Sequence, residues 1–430
     1  MWQYKAQFIS MILMITIGVG IFVGFNMEWV SIDINTKRFF KESHFADYRV
    51  VSELGFSEED AENVENIKGV DKVSRYISVP ADVKEKDGDS LALTVTENFD
   101  VSSFLKVDGA DYDKKSKDGL WISDKYAAAN DISIGDKLTL VYKGITINTV
   151  VKGTVKSGEH LVCVRDETQL MPDYNTYGFG YISPAAYKKA LGRDYYPQLN
   201  IISDLSKEEI TDKTDDALGK TTLVLSKDEN SSYSAADGEM EEGKTMGSVL
   251  PVLFLLIAVL TMVTTMHRLT AKEKVQIGTL KALGFRDKRI LRHYTSYAFM
   301  IGIIGSVAGI GLGYLVARMI MGRDGTMGTY FDMPYWELRL PTFCIVILGV
   351  LILALTLIGF LSVKEMLKGT AADSLRPYAP KKMKKLLLEK TALWNRFSFG
   401  TRWNLRDVMR HKSRTLMSLV GIVGCMVIVV

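Results

Sequence analysis

Residues 296–321 read SYAFMIGIIGSVAGIGLGYLVARMIM, a run of 26 residues whose only charge is Arg318. Buried helices of soluble domains rarely stay uncharged for so long, whereas a bilayer core needs roughly 20 apolar residues per helix. Three further windows have nearly the same composition, at 8–29, 246–266 and 343–363. The sequence therefore predicts an α-helical membrane protein with four complete transmembrane helices.

The two ends of the chain need separate interpretation. Lys5 precedes the first apolar window, as in a cleaved signal peptide, but the window is long for one and Gly24-Phe25-Asn26 offers no small-x-small cleavage site. We therefore expect an uncleaved anchor at residues 1–30. Residues 415–430 are also apolar but number only sixteen, too few to cross an average bilayer, so we expect the incomplete start of a fifth helix.

The distribution of charge orients these spans. The segment 31–244 has 27 Lys and Arg against 40 Asp and Glu, whereas 267–293 has 8 against 2 and 364–414 has 14 against 4. Short loops rich in Lys and Arg stay in the cytosol. We expect a multi-pass plasma-membrane protein with a cytosolic N-terminus, both basic segments inside, and the domain at 31–245 outside.

The basic runs could instead bind nucleic acid. KKMKKLLLEK at 381–390 and RWNLRDVMRHKSR at 402–414 have aromatic residues nearby that could stack on bases. Both runs, however, adjoin apolar spans, where the positive-inside bias and attraction to anionic lipid account for them. We therefore expect membrane lipids as partners and no nucleic acid.

The outside segment is long enough to form a large α+β domain with its own core. Ser57 is a candidate N-cap for an early helix, and two strand-like runs flank KEKDGD at 84–89 in the manner of a hairpin. Short runs rich in Thr, Val, Ile and Tyr favour a β-rich part at 119–155. The polar stretch at 226–244 is interpreted as a stalk that leads back to the membrane.

This segment lacks the usual patterns of a catalytic or metal site. Its two histidines, His44 and His160, are far apart in sequence. Asp111 and Asp113 begin like a calcium loop, but Lys115 occupies the position of the next oxygen ligand. A single cysteine leaves no disulfide pair, which is compatible with a bacterial protein. We expect no catalytic residues and no metal.

Glycines recur every four residues in the third span, at Gly305, Gly309 and Gly313, and again in the first span at Gly20 and Gly24. On a helix such glycines lie on one face and let a neighbouring helix approach closely. We therefore predict that these five glycines pack helix against helix.

The energy source has to lie outside the spans. No Asp, Glu, Lys or His lies near the middle of the four spans, where a transporter coupled to protons or sodium usually has such groups. We expect no Gly-x4-Gly-Lys-Ser/Thr phosphate loop either, so the chain should not be an enzyme itself and should hold no cofactor. ATP would be bound by a cytosolic partner.

The basic loop after the second span contains QIGTLKALGFRDKRILRHY at 276–294. Apolar residues recur every third position from Ile277 to Leu283, while Lys281 points elsewhere, which suits a short amphipathic helix. Gly284 would end this helix as a C′ glycine. Such a helix either lies on the membrane surface or docks in a groove of a partner.

Three segments resemble the FtsX/MacB-like ABC transporter permeases. They are KVQIGTLKALGFRDKRIL at 274–291, IGIIGSVAGIGLGYLVA at 301–317 and VKEMLKGTAADSLRP at 363–377. The resemblance is specific over 246–377, and it is looser for the first span and the outside segment, which are similar to the family's anchor and MacB-like core domain.

The resemblance implies that the loop after the second span is a coupling helix that contacts an ABC ATPase dimer. By position, the coupling role falls on Gln276, Ile277, Gly278, Thr279, Leu280, Lys281, Ala282, Leu283, Gly284 and Phe285. Many relatives have Glu where this chain has Gln276, so no salt bridge is assumed there. The resemblance also implies mechanotransmission, in which ATP hydrolysis moves the helices and thereby the outside domain.

The expected domain order follows. It is an anchor at 1–30, the outside α+β domain at 31–245, an FtsX-like permease domain with three transmembrane helices at 246–366, a basic cytosolic linker at 367–414, and a second unit that begins at 415–430. The last of these suggests that a second permease unit, or a second copy of the chain, completes the complex.

Three functions are compatible with the sequence. The first is a permease subunit that exports or extracts a lipid, lipoprotein or peptide. The second is a mechanotransmitting regulator of an extracellular cell-wall hydrolase, with no transported substrate. The third, an anchored extracellular enzyme, would need a catalytic constellation that the sequence does not offer.

Overall fold

The computed structural model describes residues 5–166, 168–192, 194–368, 370, 394 and 397–410, with isolated helical positions at 415, 419, 422 and 426. The chain divides into two compact units. The helical unit comprises residues 1–27, 243–317 and 340–430, and the sheet unit comprises 28–242 and 318–339. Most of the expected basic linker and most of the expected fifth span lie outside the described residues.

The helices, in chain order, are α1 Lys5–Glu42, α2 Glu58–Glu65, α3 Asp124–Ala129, α4 Pro184–Leu191, α5 Lys207–Leu218, α6 Ser231–Lys272, α7 Lys274–Ala282, α8 Asp287–Met321, α9 Thr326–Tyr330, α10 Thr342–Leu367 and α11 Phe399–Arg410. The strands are β1 Tyr48–Val51, β2 Val70–Val83, β3 Ser90–Thr96, β4 Phe104–Gly109, β5 Gly119–Ser123, β6 Lys137–Tyr142, β7 Ile145–Ser157, β8 Tyr177–Ile182, β9 Gln198–Ser203 and β10 Leu223–Ser226.

Four of these helices, α1, α6, α8 and α10, are long and apolar enough to cross a membrane, which confirms the four apolar spans. Two of them extend well beyond the apolar windows. α1 continues to Glu42, and α6 begins at Ser231, inside the polar stretch interpreted as a stalk. That stretch is therefore largely helical and continuous with the second span.

The sheet unit is built on one mixed sheet of ten strands, in the order β10-β1-β9-β2-β3-β8-β5-β7-β4, with β6 beside β2 and β7. β2 and β3 pair antiparallel, Tyr76 opposite Thr96 and Asp82 opposite Ser90, so the predicted hairpin is confirmed. Two pairs are parallel, β3 with β8 and β5 with β7. The strands within 119–157 belong to this common sheet and do not form a sheet of their own.

Capping residues fix the N-terminal ends of two helices that cover the sheet. Ser57 accepts a hydrogen bond from the Asp60 N–H while the Asp60 carboxylate accepts one from the Ser57 N–H, which is a capping box at the start of α2. α5 begins with the same device at Ser206 and Glu209. These caps satisfy backbone N–H groups that have no partner within the helix.

The segment 318–339, which runs from the last turn of α8 to just before α10, folds with the sheet unit. Its Asp332 is fully buried and pairs with Lys156 of β7, which also binds Asp124 at 2.7 Å. Lys125 donates to the backbone carbonyls of Gly328 and Phe331, at 2.7 and 2.9 Å. Since a buried charge is tolerated only when it is paired, these contacts fix the segment to the sheet.

Candidate functional site

The loop singled out by the sequence forms α7 and a tight turn into α8. α7 ends at Ala282, and Gly284 follows with φ of +86°, a left-handed conformation that favours glycine. The N–H of Phe285 bonds to the carbonyl of Leu280, and Asp287 then begins α8. The predicted short helix and its C′ glycine are thus present.

One face of α7 is anchored to the neighbouring helices of the helical unit. Ile277 is buried in a cluster with Ile290, Tyr294, Val363 and Leu367, contributed by α8 and α10. Just before α7, the Glu273 carboxylate accepts a hydrogen bond from the Tyr294 hydroxyl at 3.2 Å. A rigid displacement of α7 would therefore be transmitted to α8 and α10.

Two side chains lie differently from the prediction. Lys281 does not point away, because its ammonium group donates to the Leu367 carbonyl at 2.6 Å and lies 3.2 Å from the Asp287 carboxylate. Leu283 is not on the buried face but is 71% exposed. A three-residue step falls short of a full helical turn by about 60°, so Leu283, two such steps after Ile277, lies about 120° around the helix axis from the buried face.

The outward side of the loop combines apolar and basic groups. Val275, Leu283 and Phe285 are 57%, 71% and 43% exposed, and Arg286 and Arg289 line one hollow together with Leu283 and Phe285. We call these five residues the α7 surface. Of the other residues expected to act in coupling, Gln276, Thr279, Ala282 and Gly284 are exposed, Leu280 is half-buried, and Ile277 and Gly278 are buried.

An exposed apolar group with a basic border is typical of a protein contact and offers no reaction chemistry. None of its members is a nucleophile or a general base. The geometry suits docking of a partner.

The glycines of α8 lie against α1. A Cβ placed on Gly305, Gly309 or Gly313 would lie 2.8, 2.6 and 2.8 Å from the Cβ of Ile15, Val19 and Val23, respectively. From the other side, a Cβ on Gly20 would meet Leu312 at 2.7 Å, and one on Gly24 would meet Val316 at 3.1 Å. The structure thus brings all five glycines to one seam between α1 and α8.

The expectation about a phosphate loop needs a correction. Residues 238–245 read GEMEEGKT, which does match Gly-x4-Gly-Lys-Thr. The string lies inside α6, where backbone N–H groups bond to carbonyls four residues earlier. A phosphate loop needs those N–H groups turned toward the ligand between a strand and a helix. The string therefore has the letters of the motif without its conformation.

The described part of the sheet unit shows no site for chemistry. No group of three or more His, Cys, Asp or Glu side chains there is placed to hold a metal ion. Burial raises the pKa of the Cys163 thiol above its ordinary value, which disfavours the reactive thiolate. In the loop with Asp111 and Asp113, one carboxylate pairs with Lys106 and the other caps the Lys115 N–H.

Comparisons with known proteins bear on the helical unit first. Residues 248–371 match the family model of the FtsX-like permease C-terminal domain. An uncharacterized ABC transporter permease of Methanocaldococcus jannaschii is 26% identical over 320 residues, covering 71% of this chain and 75% of the relative.

Two solved structures are similar over part of the chain. One is the extracellular domain of the noncanonic ABC-type transporter YknZ from Gram-positive bacteria, with 14% identity and a TM-score of 0.29, covering 41% of this chain and 90% of that one. The other is the periplasmic region of MacB from Actinobacillus actinomycetemcomitans, with 10% identity and a TM-score of 0.29, covering 47% and 95%. The helical unit therefore contains a segment that matches the FtsX-like permease C-terminal domain, and the chain as a whole is similar to an ABC transporter permease.

Proposed function

We propose that this permease couples ATP hydrolysis by a separate ABC ATPase dimer to movement of its sheet unit on the outer side of the plasma membrane. The observation that carries the proposal is the α7 surface. It is exposed, apolar and basic, and it stands on a helix anchored to α8 and α10 through Ile277 and Lys281. A partner that moves α7 would thus move two membrane helices.

The orientation rests on charge. The loop at 267–293 is strongly basic, and the segment 31–244 is acidic. The positive-inside rule then puts α7 in the cytosol, where ATP is available, and the sheet unit outside. The complex would contain two ATPase subunits with a second copy of this chain or a second permease unit.

The proposed cargo is a lipid, lipoprotein or peptide that is exported or extracted at the outer face. In the alternative, the moving sheet unit controls a cell-wall hydrolase and carries nothing. A pulldown with the full chain as bait distinguishes the two functions. Transport predicts that a cargo molecule binds the sheet unit, whereas regulation predicts that an enzyme binds it.

The coupling role is tested by co-purifying the full chain with its cognate ATPase and measuring ATP turnover. Leu283→Ser with Phe285→Ser removes two of the three exposed apolar side chains of the α7 surface, and we expect at least about tenfold weaker association, since central apolar anchors contribute most of an interface's affinity. Leu280 is a poorer target because its packing in the cluster around Ile277 would confound the result.

The matched control is Leu54→Ser with Val107→Ser, which removes two apolar side chains that are 83% and 50% exposed in the sheet unit. This control should associate with the ATPase as the unaltered chain does. Equal association of both double variants would refute a coupling role for the α7 surface.

A further inference from the structure

A groove of about 420 Å³ runs between α8 and α10 within the helical unit. Its α8 wall presents Lys288, Arg292, Thr295 and Phe299, which follow each other at three- to four-residue spacing along one side of the helix. Its α10 wall presents Thr356 and Phe360. The volume is within the range of about 300–1,000 Å³ usual for sites that hold small molecules.

The groove has a charged end and an apolar end. At a rise of about 1.5 Å per residue, Lys288 and Phe299 lie roughly 16 Å apart along α8. Phe299 belongs to the apolar span that begins at Ser296, whereas Lys288 and Arg292 precede it. A soluble partner could reach the charged end only, while a molecule with a headgroup and a hydrocarbon tail could occupy the full length.

The two helices that form this groove pack closely beside it. A Cβ placed on Gly359 would lie 2.4 Å from the Cβ of Ala298, so α10 and α8 touch directly between Phe299 and Phe360. The two phenylalanines, one step further along each helix, flank this contact. The result is a slot along the helix pair, open on the side away from the contact.

The polar groups of the slot point to an anion. Among the residues that the structure describes, no carboxylate lies within ion-pair distance of Lys288 or Arg292, although Lys281 nearby does have one in Asp287. The buried Thr295 hydroxyl has no hydrogen-bond partner, whereas that of Thr356 donates to the Ile352 carbonyl at 2.7 Å. The positive end of the α8 dipole lies on the same side.

From this arrangement we infer that the slot binds one anionic phospholipid, with the phosphate between Lys288 and Arg292 and an acyl chain along Phe299 and Phe360. A zwitterionic lipid fits less well because its headgroup carries its own cation. The slot shares an end with the α7 surface but contains none of its five residues. The inference does not depend on the proposed function.

The test uses the full chain in a neutral detergent, without the ATPase. Binding of phosphatidylglycerol and phosphatidylcholine is counted by native mass spectrometry and followed by thermal stability. We expect phosphatidylglycerol to bind and stabilise the chain. In the double variant Lys288→Gln with Arg292→Gln, the affinity for phosphatidylglycerol should fall about 30-fold, because two basic contacts to the anionic headgroup are lost. Free glycerol phosphate should have no effect, because it lacks the acyl chain.

The matched control is Arg286→Gln with Arg289→Gln, which removes the same charge from the same helix end but from outside the slot. It should keep the affinity for phosphatidylglycerol within about twofold. An equal loss in both double variants would reduce the effect to general attraction of anionic lipid and overturn the inference. So would equal binding of the two lipids. Thr295→Val, which removes only the hydroxyl, should weaken binding without lowering the stability of the lipid-free chain.

Discussion

His160 shows how the environment of one residue makes the sheet unit sensitive to acid. Its ring stacks on Phe179 with centroids 4.6 Å apart, and its Nε2 lies 3.3 Å from the Thr94 hydroxyl oxygen. Burial lowers its pKa from histidine's ordinary 6.5 to about 4. The folded chain therefore binds a proton here less readily than the unfolded chain does.

The lowered pKa of His160 sets the direction in which the stability of the folded chain changes with pH. Stability from this residue is complete above pH 6.5 and is lost as the pH falls from there towards 4, because protonation then favours the unfolded chain. The loss is at most about 3 kcal/mol. In His160→Phe, which keeps the stacking on Phe179, that part of the loss should vanish, as followed by chemical unfolding of the full chain between pH 8 and 4.

The comparison within that pH range is decisive. Thr94 retains the Ser78 hydroxyl at 3.3 Å, so the substitution leaves its hydroxyl with a partner. Between pH 8 and 4, the difference in stability between wild type and His160→Phe should shift in favour of the variant, by at most about 3 kcal/mol. Parallel stability curves over the whole range would mean that the histidine titrates alike in the folded and unfolded chain.

Residues whose roles are local were the ones that the sequence could predict. Gly284 and Ser57 are set by the chain within a few positions of each, through a left-handed turn and a capping box. Asp332 and Lys156 are 176 positions apart, and nothing in the letters around either residue indicates the other. That pair, which fixes 318–339 to the sheet, could be identified only from the structure.

At the scale of elements, the seam between α1 and α8 offers a sharp comparison. Gly309→Ala would put a Cβ 2.6 Å from that of Val19, so the two helices must separate, at a cost of about 1–3 kcal/mol. Gly311→Ala is the matched control, since a Cβ there meets nothing within 4 Å. Thermal unfolding in detergent should show a lower midpoint for Gly309→Ala only.

Both positions lie in α8, two residues apart, so the gain in helix propensity from Gly to Ala is the same at both. A midpoint for Gly309→Ala equal to that of Gly311→Ala would show that α1 and α8 do not need the close approach. The seam itself was predictable, because the four-residue spacing is carried in the sequence of a single helix.

The sheet was predictable only in part. The β2-β3 hairpin follows from two strand-like runs around one turn. The parallel pairs β3-β8 and β5-β7 join strands that are distant in sequence, and the extent of the sheet depends on them. Composition alone therefore favoured a separate β-rich part at 119–155, although its strands continue the common sheet.

At the scale of the whole molecule, the helices α1, α6 and α8 each contain residues of both units. α6 passes from Glu242 of the sheet unit to Gly243 of the helical unit without interruption. Hydrogen bonds along the axis close each turn of a helix, and in α6 only Pro251, inside the second span, lacks the N–H for such a bond. Under the proposed function, these helices would transmit the movement that starts at α7.

Glu242→Pro tests that role of α6. Proline removes one backbone hydrogen bond and clashes with the preceding turn, so it kinks the helix, and the Glu242 side chain is exposed. With the cognate ATPase bound, we expect nucleotide to change amide hydrogen exchange at 318–339 in the unaltered chain and not in Glu242→Pro.

The matched control Glu242→Ala, which removes the same carboxylate and keeps the helix, should respond as the unaltered chain does. ATPase association should persist in all three, because α7 is unaltered. A full response in Glu242→Pro would mean that α1 or α8 carries the movement without α6.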